Sequence, residues 1–363
     1  MALHPLRVVM LGLSITSSWG NGHATTYRSL VKELSARGHD VLFLERDAPW
    51  YRENRDMPAP PWGRTRLYGS LEELKDSFET EVREADFVMV GSYVPEGSAV
   101  GEWVNSVARG ATAFYDIDTP VTLSKLDRGE CKYITLKLIT EYDIYLSFTG
   151  GPILKRIEAG YRSPMARPLY CSVDPAVYRP LDLAKKWEMG YIGTYSPDRQ
   201  PVLDRLMLEP ARRFDGSFVV AGPLYPEEVG WPDNTERIEH LPPGAHSGFY
   251  GSMKFTVNIT RADMVRAGYS PSVRLFEAAA CATPVISDYW EGLGSFFRPG
   301  EEILVSRCAE ETLKYLRELT SEDRIRIGEK ARGKVLSGHT ASHRVDELES
   351  YMAAVLKKQE VLK

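Results

Sequence analysis

The chain has 363 residues, 43% hydrophobic and 26% charged, with a formal net charge of −5. That is globular composition with length for two to three domains, and it excludes collagen-like, low-complexity and wholly disordered chains. The negative balance, without a basic block, disfavours strong nucleic-acid binding.

The chain opens on a continuous apolar run of strand length, Leu6 to Leu13. MALHPLRVVMLGL lacks a small-residue cleavage site, so it reads as a first strand and not as a signal peptide. A Gly- and Ser-rich loop, SITSSWGNGH, follows. Tyr27, Leu30, Val31 and Leu34 then recur at i, i+3, i+4 and i+7, one face of a helix, and Gly38 stands where a C-cap glycine belongs. Val41 to Leu44 begins a second strand, which completes a β-loop-α-β unit of a parallel sheet. Ala48 to Arg66, with four prolines and two tryptophans, reads as a long functional loop over a cleft.

Further strands are predicted at Phe87–Gly91, Thr112–Tyr115, Ile144–Phe148 and Arg167–Tyr170. A second series runs through Met189–Gly193, Ser217–Ala221, Arg237–Leu241, Phe255–Ile259, Pro284–Ser287 and Ile303–Val305. Two successive doubly wound α/β domains fit this better than a barrel, which needs eight units in one closed ring. The predicted organisation is a domain over 1–172, a linker over 173–187, a domain over 188–340 and a C-terminal helix over 341–363. Val345, Leu348, Met352 and Val355 form a stripe on that helix that either domain can bury. The apolar stretches Phe87 to Val90 and Leu275 to Ile286 are too short or too polar to span a bilayer. Cys131, Cys171, Cys281 and Cys308 lie far apart without a CxxC pair, which fits a reducing cytoplasm better than a disulfide framework or a zinc site.

The most informative stretch is GYSPSVRLFEAAACATPVISDYWEGL, residues 268–293. Ser270 reads as a helix N-cap and Pro271 as the first helical position, with Val273, Phe276 and Ala280 on an apolar stripe. The helix start offers free N–H groups and a positive dipole end to an anion, and Arg274 one turn in adds charge. Glu277 lies seven residues past the cap, roughly 10 Å along the axis at ~1.5 Å per residue. That is about the reach from a diphosphate to a ribose, whose hydroxyls a carboxylate can bind. A carboxylate embedded in LFEAAACATPVI needs a partner.

Other candidates lie at predicted strand ends. Arg199, after the Gly193 turn, offers a fork of donors to a diphosphate leaving group, and Arg261 in the NITR turn is a weaker candidate of the same kind. In Gly20-Asn21-Gly22-His23 the glycines let a ligand approach the backbone. His23 is a general base, a sugar contact or an ordinary loop histidine. Asp116 and Asp118 end the strand TAFY and point to acceptor binding or base catalysis; for Asp118, capping the following helix is nearly as good a reading. Leu241, Pro242 and His246, with His240 and Pro243, end or follow a predicted strand and read as a loop whose backbone groups are candidates for a nucleobase, and Asp288 and Glu291 follow another and are candidates for sugar hydroxyls. His339 and His343 lack an accompanying acid for a metal, and the Asn258-Ile259-Thr260 sequon falls in a predicted strand turn. GLSITSSWGNG does not fit the GxGxxG that an NAD-binding domain places after its first strand.

GTYSPDRQ, AGPLYP, HLPPGAHSGFY, NITRADM and SPSVRLFEAAACATPVISD together resemble the CgeB-like, spore-maturation-protein type branch of the GT-B glycosyltransferases. LGLSITSSWGNGHATTYRSLVKELSARGHDVLFLER is similar to GT-B N-terminal domains. The resemblance implies two facing Rossmann-like domains with parallel sheets and a C-terminal helix able to cross back. The acceptor would lie mainly on the first domain and the nucleotide sugar mainly on the second. It implies that Glu277 holds the ribose and the Ser270–Ser272 turn the diphosphate. Gly22, Gly193, Arg199, Gly222, Leu241, Pro242, His246, Arg261 and Val273 join Arg274 in the nucleotide-sugar set, and His23, Asp116, Asp118 and Arg199 form the catalytic set. Retaining relatives usually carry a second glutamate eight positions before Glu277; here that position is Tyr269. The implied activity is transfer of a sugar from a UDP- or dTDP-type donor to a hydroxyl acceptor, with no metal or other cofactor. The DxD of Asp116 and Asp118, a metal motif in the GT-A fold, lies in the acceptor-side half. A nucleotide-sugar epimerase on the same fold and a non-catalytic nucleotide-sugar-binding protein are the alternatives.

Overall fold

The computed structural model describes residues 4–362. They divide into two units, one running to Cys171 and resuming at Ala341, the other Ser172–Thr340. The first unit is built on seven strands: β1 (Arg7–Gly12), β2 (Asp40–Arg46), β3 (Arg64–Tyr68), β4 (Phe87–Gly91), β5 (Ala111–Asp116), β6 (Ile144–Ser147) and β7 (Ala166–Pro168). Their order is β3-β2-β1-β4-β5-β6-β7, all parallel. Val8–Leu11 and Phe87–Val90 are buried throughout because helices cover both faces of such a sheet. The chain leaves β1 for β2 on one side and returns to β4 on the other. This reversal opens a crevice at the C-terminal ends of β1 and β4.

The helix His23–Ala36 buries Tyr27, Leu30, Val31 and Leu34, and Gly38 takes φ +90° in the turn after it. The helix Ala341–Leu362 buries Val345, Leu348, Met352 and Val355 and packs on the His23 helix and β5. Arg37 donates to Asp346 and Glu349 on it. His39 Nδ1 accepts the Leu6 N–H, which leaves Nε2 to donate to Glu349 at 3.0 Å.

The second unit carries β8 (Trp187–Ile192), β9 (Phe218–Ala221), β10 (Thr235–Ile238), β11 (Met253–Asn258), β12 (Val285–Ser287) and β13 (Leu304–Val305). The order β10-β9-β8-β11-β12-β13 is again parallel, with its reversal at β8 and β11. Met189, Tyr191, Phe218, Val220, Phe255, Val257 and Ile286 form its core with Leu206 and Leu304. The expected α/β class with two parallel sheets is therefore observed. Residues 173–187 are integrated into this second unit: Val173 bridges to Thr340, Tyr178 reaches His246, and Trp187 begins β8.

Two local expectations change. The Pro/Trp segment runs into β3, an edge strand whose arginines are exposed and which has no apolar face to announce it. Upstream it holds a short helix, Pro49–Arg52, and docks on the loop after β1: Ser17 Oγ donates to the Asn54 carbonyl, and the Met57 N–H to the Thr16 carbonyl. The second change is at the motif helix, which spans Val273–Ala280 with Ser272, not Ser270, at the N-cap. Among the described residues no helix is long and apolar enough to cross a membrane.

Candidate functional site

In the second unit the strand reversal is bridged by one side chain. Arg274 Nε donates to the Ile192 carbonyl at the end of β8, and Nη1 donates to Asn258 Oδ1 at the end of β11, 3.0 Å away. The guanidinium lies 4.7 Å over the Tyr191 ring, a cation–π contact that holds it flat. Its remaining nitrogen, Nη2, lies beside Gly193: a Cβ there would stand 2.8 Å from Nη2 and 2.6 Å from the Tyr191 hydroxyl. A side chain at 193 would therefore displace the Arg274 guanidinium or the Tyr191 ring. Among the described residues the buried Tyr191 hydroxyl has no hydrogen-bond partner.

Asn258 is the hub. Its Oδ1 also accepts from Ser272 Oγ at 2.7 Å, and its Nδ2 donates to Thr260 Oγ1 and Ser287 Oγ. Because the Ser272 hydroxyl turns to Asn258, it does not cap the Val273 helix, and the first-turn N–H groups have no side-chain acceptor from the N-cap. A cationic edge thus meets an uncapped helix start, the arrangement that receives anions. Asp288 closes the network by accepting from Thr260 Oγ1 at 2.8 Å and from the Thr260 N–H. Burial pushes its carboxyl up to about 6, and the Thr260 and Ser287 hydrogen bonds keep it from rising further. Ser270 is buried just before the helix and Val273 is its first residue.

Glu277 lies one turn beyond Arg274 and is 4% exposed. Its surround is less apolar than its sequence neighbours suggest, because helix Pro243–Gly251 and residue 178 bring polar groups to it. Tyr250 Oη donates to Oε2 at 3.4 Å, His246 Nδ1 stands 3.8 Å from the same oxygen, and Tyr178 also reaches the carboxylate. Burial and the Glu277 charge push both phenols well above their ordinary values. The Leu241 carbonyl, which only accepts, takes the proton on His246 Nε2, and Nδ1 stands 3.2 Å from the Tyr178 hydroxyl. Pro242 is the N-cap of the same helix.

Gly193 and Gly222 interlock. Gly222 has φ +148°, and a Cβ on it would fall 2.0 Å from the Gly193 carbonyl oxygen. Arg199 is the N-cap of helix Gln200–Leu203; its Nη2 donates to the Thr194 carbonyl and its Nε is buried without a hydrogen bond. Arg261 Nε stands 4.0 Å from Asp198. The sequence reading missed Tyr178, Tyr191, Tyr250 and Asn258. Tyrosines in apolar strands and helices read as core, and the Asn258 sequon drew attention to the wrong property of that residue.

The corresponding crevice of the first unit is built differently. Glu45, at the end of β2, is fully buried. It accepts from the Ile15 and Thr16 N–H groups at 2.7 and 3.0 Å, and from the Ser14 and Thr16 hydroxyls at 3.0 and 2.6 Å. Dinucleotide-binding domains use an acid at this place for a ribose; here it moulds the loop after β1. Arg28 pairs with Asp56 through two 2.9 Å bonds and donates to the Ile15 carbonyl, which fixes the same loop from its other side.

Gly22 is the N-cap of the helix that His23 begins. The His23 ring stacks on Tyr93, centroids 6.0 Å apart, and the Tyr93 hydroxyl donates to Asp118 Oδ2 at 2.9 Å. Asp118 occupies the N-cap of helix Thr119–Asp127, but its side chain makes no cap hydrogen bond. His23, Tyr93 and Asp118 therefore form a linked group. Asp116 stands beside this group: its Oδ1 accepts the Asp118 N–H at 3.3 Å. It is fully buried and accepts from Tyr145 Oη and from Thr122 Oγ1 at 2.7 Å. Burial pushes its carboxyl up to about 6 against those hydrogen bonds. Among the described residues no three His, Cys, Asp or Glu side chains gather as metal ligands, and the four cysteines are free thiols.

Comparison with known proteins bears on both units. Residues 199–350 match the family model described as glycosyl transferase-like. No curated protein sequence matches the chain. Sucrose-phosphate synthase from Thermosynechococcus elongatus has a similar structure, with a TM-score of 0.70 and 13% identity over 98% of this chain and 99% of that one. HepE from Anabaena, solved with UDP and glucose, gives 0.70 and 12% over 96% and 99%. An alpha-glucosyltransferase solved with UDP-glucose and DNA containing an abasic site gives 0.72 and 14% over 96% and 100%. At these identities the likeness is one of fold, and the fold is that of the GT-B glycosyltransferases.

Proposed function

We propose that the protein is a glycosyltransferase of the CgeB-like branch that takes its sugar from a UDP- or dTDP-type donor. The observation that carries this is Arg274: one guanidinium joins the ends of β8 and β11 at the strand reversal and keeps Nη2 beside Gly193. The uncapped start of its own helix adjoins it, and a buried carboxylate stands one turn on. With the N-cap at Ser272, Glu277 lies five residues past it, roughly 7.5 Å along the axis at ~1.5 Å per residue, and on that spacing the diphosphate is assigned to the helix start and the ribose to Glu277. The glycosyl transferase-like match covers Arg199 through Glu277, and the UDP complexes of structural neighbours support a nucleotide-sugar donor.

In this reading an acceptor hydroxyl forms a bond to the anomeric carbon while the bond from that carbon to the diphosphate oxygen breaks. The electron pair leaves with the nucleoside diphosphate. Arg274, Arg199 and the helix N–H groups stabilise the charge that develops there, so no metal is required. The first unit supplies acceptor recognition. His23 and Asp118, linked through Tyr93, are the groups suited to take the hydroxyl proton if the anomeric configuration inverts.

Calorimetric titration with UDP, dTDP and GDP, each in EDTA and in Mg²⁺, tests the donor assignment. Saturable binding of UDP or dTDP that persists in EDTA is expected. Binding of none of the three, or binding only with the metal, would contradict it.

A further inference from the structure

Arg237, near the end of edge strand β10, is the most elaborately held cation of the second unit that the donor assignment leaves without a role. Its guanidinium lies 4.3 Å from the ring centroid of Tyr225 and 4.3 Å from that of Trp231, two rings that meet edge to face. Nη1 donates to the Val220 carbonyl at 2.6 Å and Nη2 to the Gly222 carbonyl at 3.0 Å. It has no ion-pair partner among the described residues. A planar fork that reads two carbonyls and lies against two rings fixes the backbone it touches, which lysine's point charge does not.

That backbone is joined to Gly193. The Tyr225 hydroxyl donates to the Gly193 carbonyl at 3.2 Å, the Gly193 N–H to the Ala221 carbonyl at 2.8 Å, and the Tyr195 N–H to the Pro223 carbonyl at 3.0 Å. Gly222 lies so close beneath that carbonyl that a methyl group does not fit. The two turns are therefore hydrogen-bonded to each other, and Arg237 with Tyr225 braces the one that carries Gly193, beside Arg274 Nη2.

We infer that Arg237 is a positioning residue for the terminal phosphate of a nucleoside diphosphate, acting through Tyr225 and Gly193 on the Arg274 guanidinium. This rests on the donor assignment above. The residue touches no ligand in this account; it keeps the glycine turn where the arginine can reach a second phosphate. Nucleoside monophosphate, which lacks that phosphate, is indifferent to it.

The test measures dissociation constants of UDP and UMP in EDTA for the wild type, Arg237→Met, Tyr225→Phe and the double variant, with the melting temperature of each. In the wild type UDP is expected to bind more tightly than UMP. Arg237→Met should weaken UDP about tenfold, the equivalent of one charge-assisted hydrogen bond, and change UMP less than about twofold. Tyr225→Phe keeps the ring under Arg237 and removes one hydroxyl. It should reduce the UDP preference severalfold at an unchanged melting temperature, and the double variant should be no worse than Arg237→Met. A preference for UDP that survives Tyr225→Phe and Arg237→Met, or parallel losses for UDP and UMP, overturns the positioning role alone. If Arg237→Met does not fold, an unchanged UDP preference in Tyr225→Phe overturns it and a reduced one supports it. A wild type that does not prefer UDP to UMP overturns the donor assignment and this role with it.

Discussion

The two strand reversals have the same topology and opposite chemistry. In the loop after β1, beside the reversal at β1 and β4, charge is consumed inside the protein: Glu45 from β2 is taken up by four loop donors, and Arg28 by Asp56 and a carbonyl. At the end of β8 and β11 the reverse holds. Arg274 keeps one nitrogen beside a glycine, and the helix behind it starts without a side-chain cap. A doubly wound sheet provides the crevice in both cases, and the residues at the strand ends decide what can enter it. The first crevice is a moulded loop followed by the helix that His23 begins; the second is the one proposed to receive an anion.

The largest effect should come from undoing the moulding. Glu45→Ala removes the acceptor for two buried N–H groups and two hydroxyls, and a cost of about 3 kcal/mol or more is expected in urea denaturation. A denaturation midpoint equal to the wild type would mean that the loop after β1 does not depend on this carboxylate. UDP affinity at temperatures where the variant remains folded should be unaltered, because the proposed donor site lies in the other unit.

Next in size is Asp118→Asn, expected to lower turnover about a hundredfold, as loss of a proton acceptor does, with UDP affinity unchanged. Equal turnover would remove the first unit's carboxylate from the chemistry. Glu277→Gln addresses the second unit and should weaken UDP about tenfold, as loss of a charged hydrogen-bond acceptor does. A uridine diphosphate lacking both ribose hydroxyls should then bind wild type and variant alike. Additive losses would mean that Glu277 does not touch the ribose.

The smallest expected effect compares the two buried aspartates. Asp288 titrates near 6 when folded, against an ordinary 3.8. Its charged form is thus less favourable folded than unfolded, so it lowers stability above pH 6, and that loss is recovered as pH falls from 6 towards 4. From pH 7 to pH 5 the wild type should gain about 1 kcal/mol relative to Asp288→Asn. Asp116→Asn should show the same difference, since burial acts on both groups alike. A wild type that loses stability relative to both variants over that interval would reverse the sign.

Much of this contrast was legible in the sequence where periodicity carries it. Tyr27, Leu30, Val31 and Leu34 marked the first helix, and the apolar runs within Leu6 to Leu13 and at Phe87–Val90 marked buried strands, because a sheet covered on both faces needs them apolar. β3 was illegible because an exposed edge strand, RTRLY, has no apolar face to conserve the period. The Val273 helix was found, but its start was misplaced by two residues: Ser270 and Ser272 are both good caps by type, and only the Asn258 contact shows which hydroxyl is turned away. The partners of Asp116 were hidden for a related reason. Standing at a strand end says nothing about side-chain direction, and Tyr145 and Thr122 on neighbouring elements hold the carboxylate inward. Arg237 and Tyr225 gave no signal, since their partners are backbone carbonyls that sequence spacing does not reveal.

The central claim is that the second crevice holds a nucleoside diphosphate on Arg274. The most direct measurement is calorimetric titration of UDP, in EDTA, into the full-length wild type and Arg274→Ala, with the urea midpoint of each taken in the same buffer. The account predicts saturable wild-type binding and a variant that remains folded but binds UDP more weakly by roughly 1.5–3 kcal/mol, the cost of a lost hydrogen bond to a charged group. A folded variant with wild-type UDP affinity would contradict it.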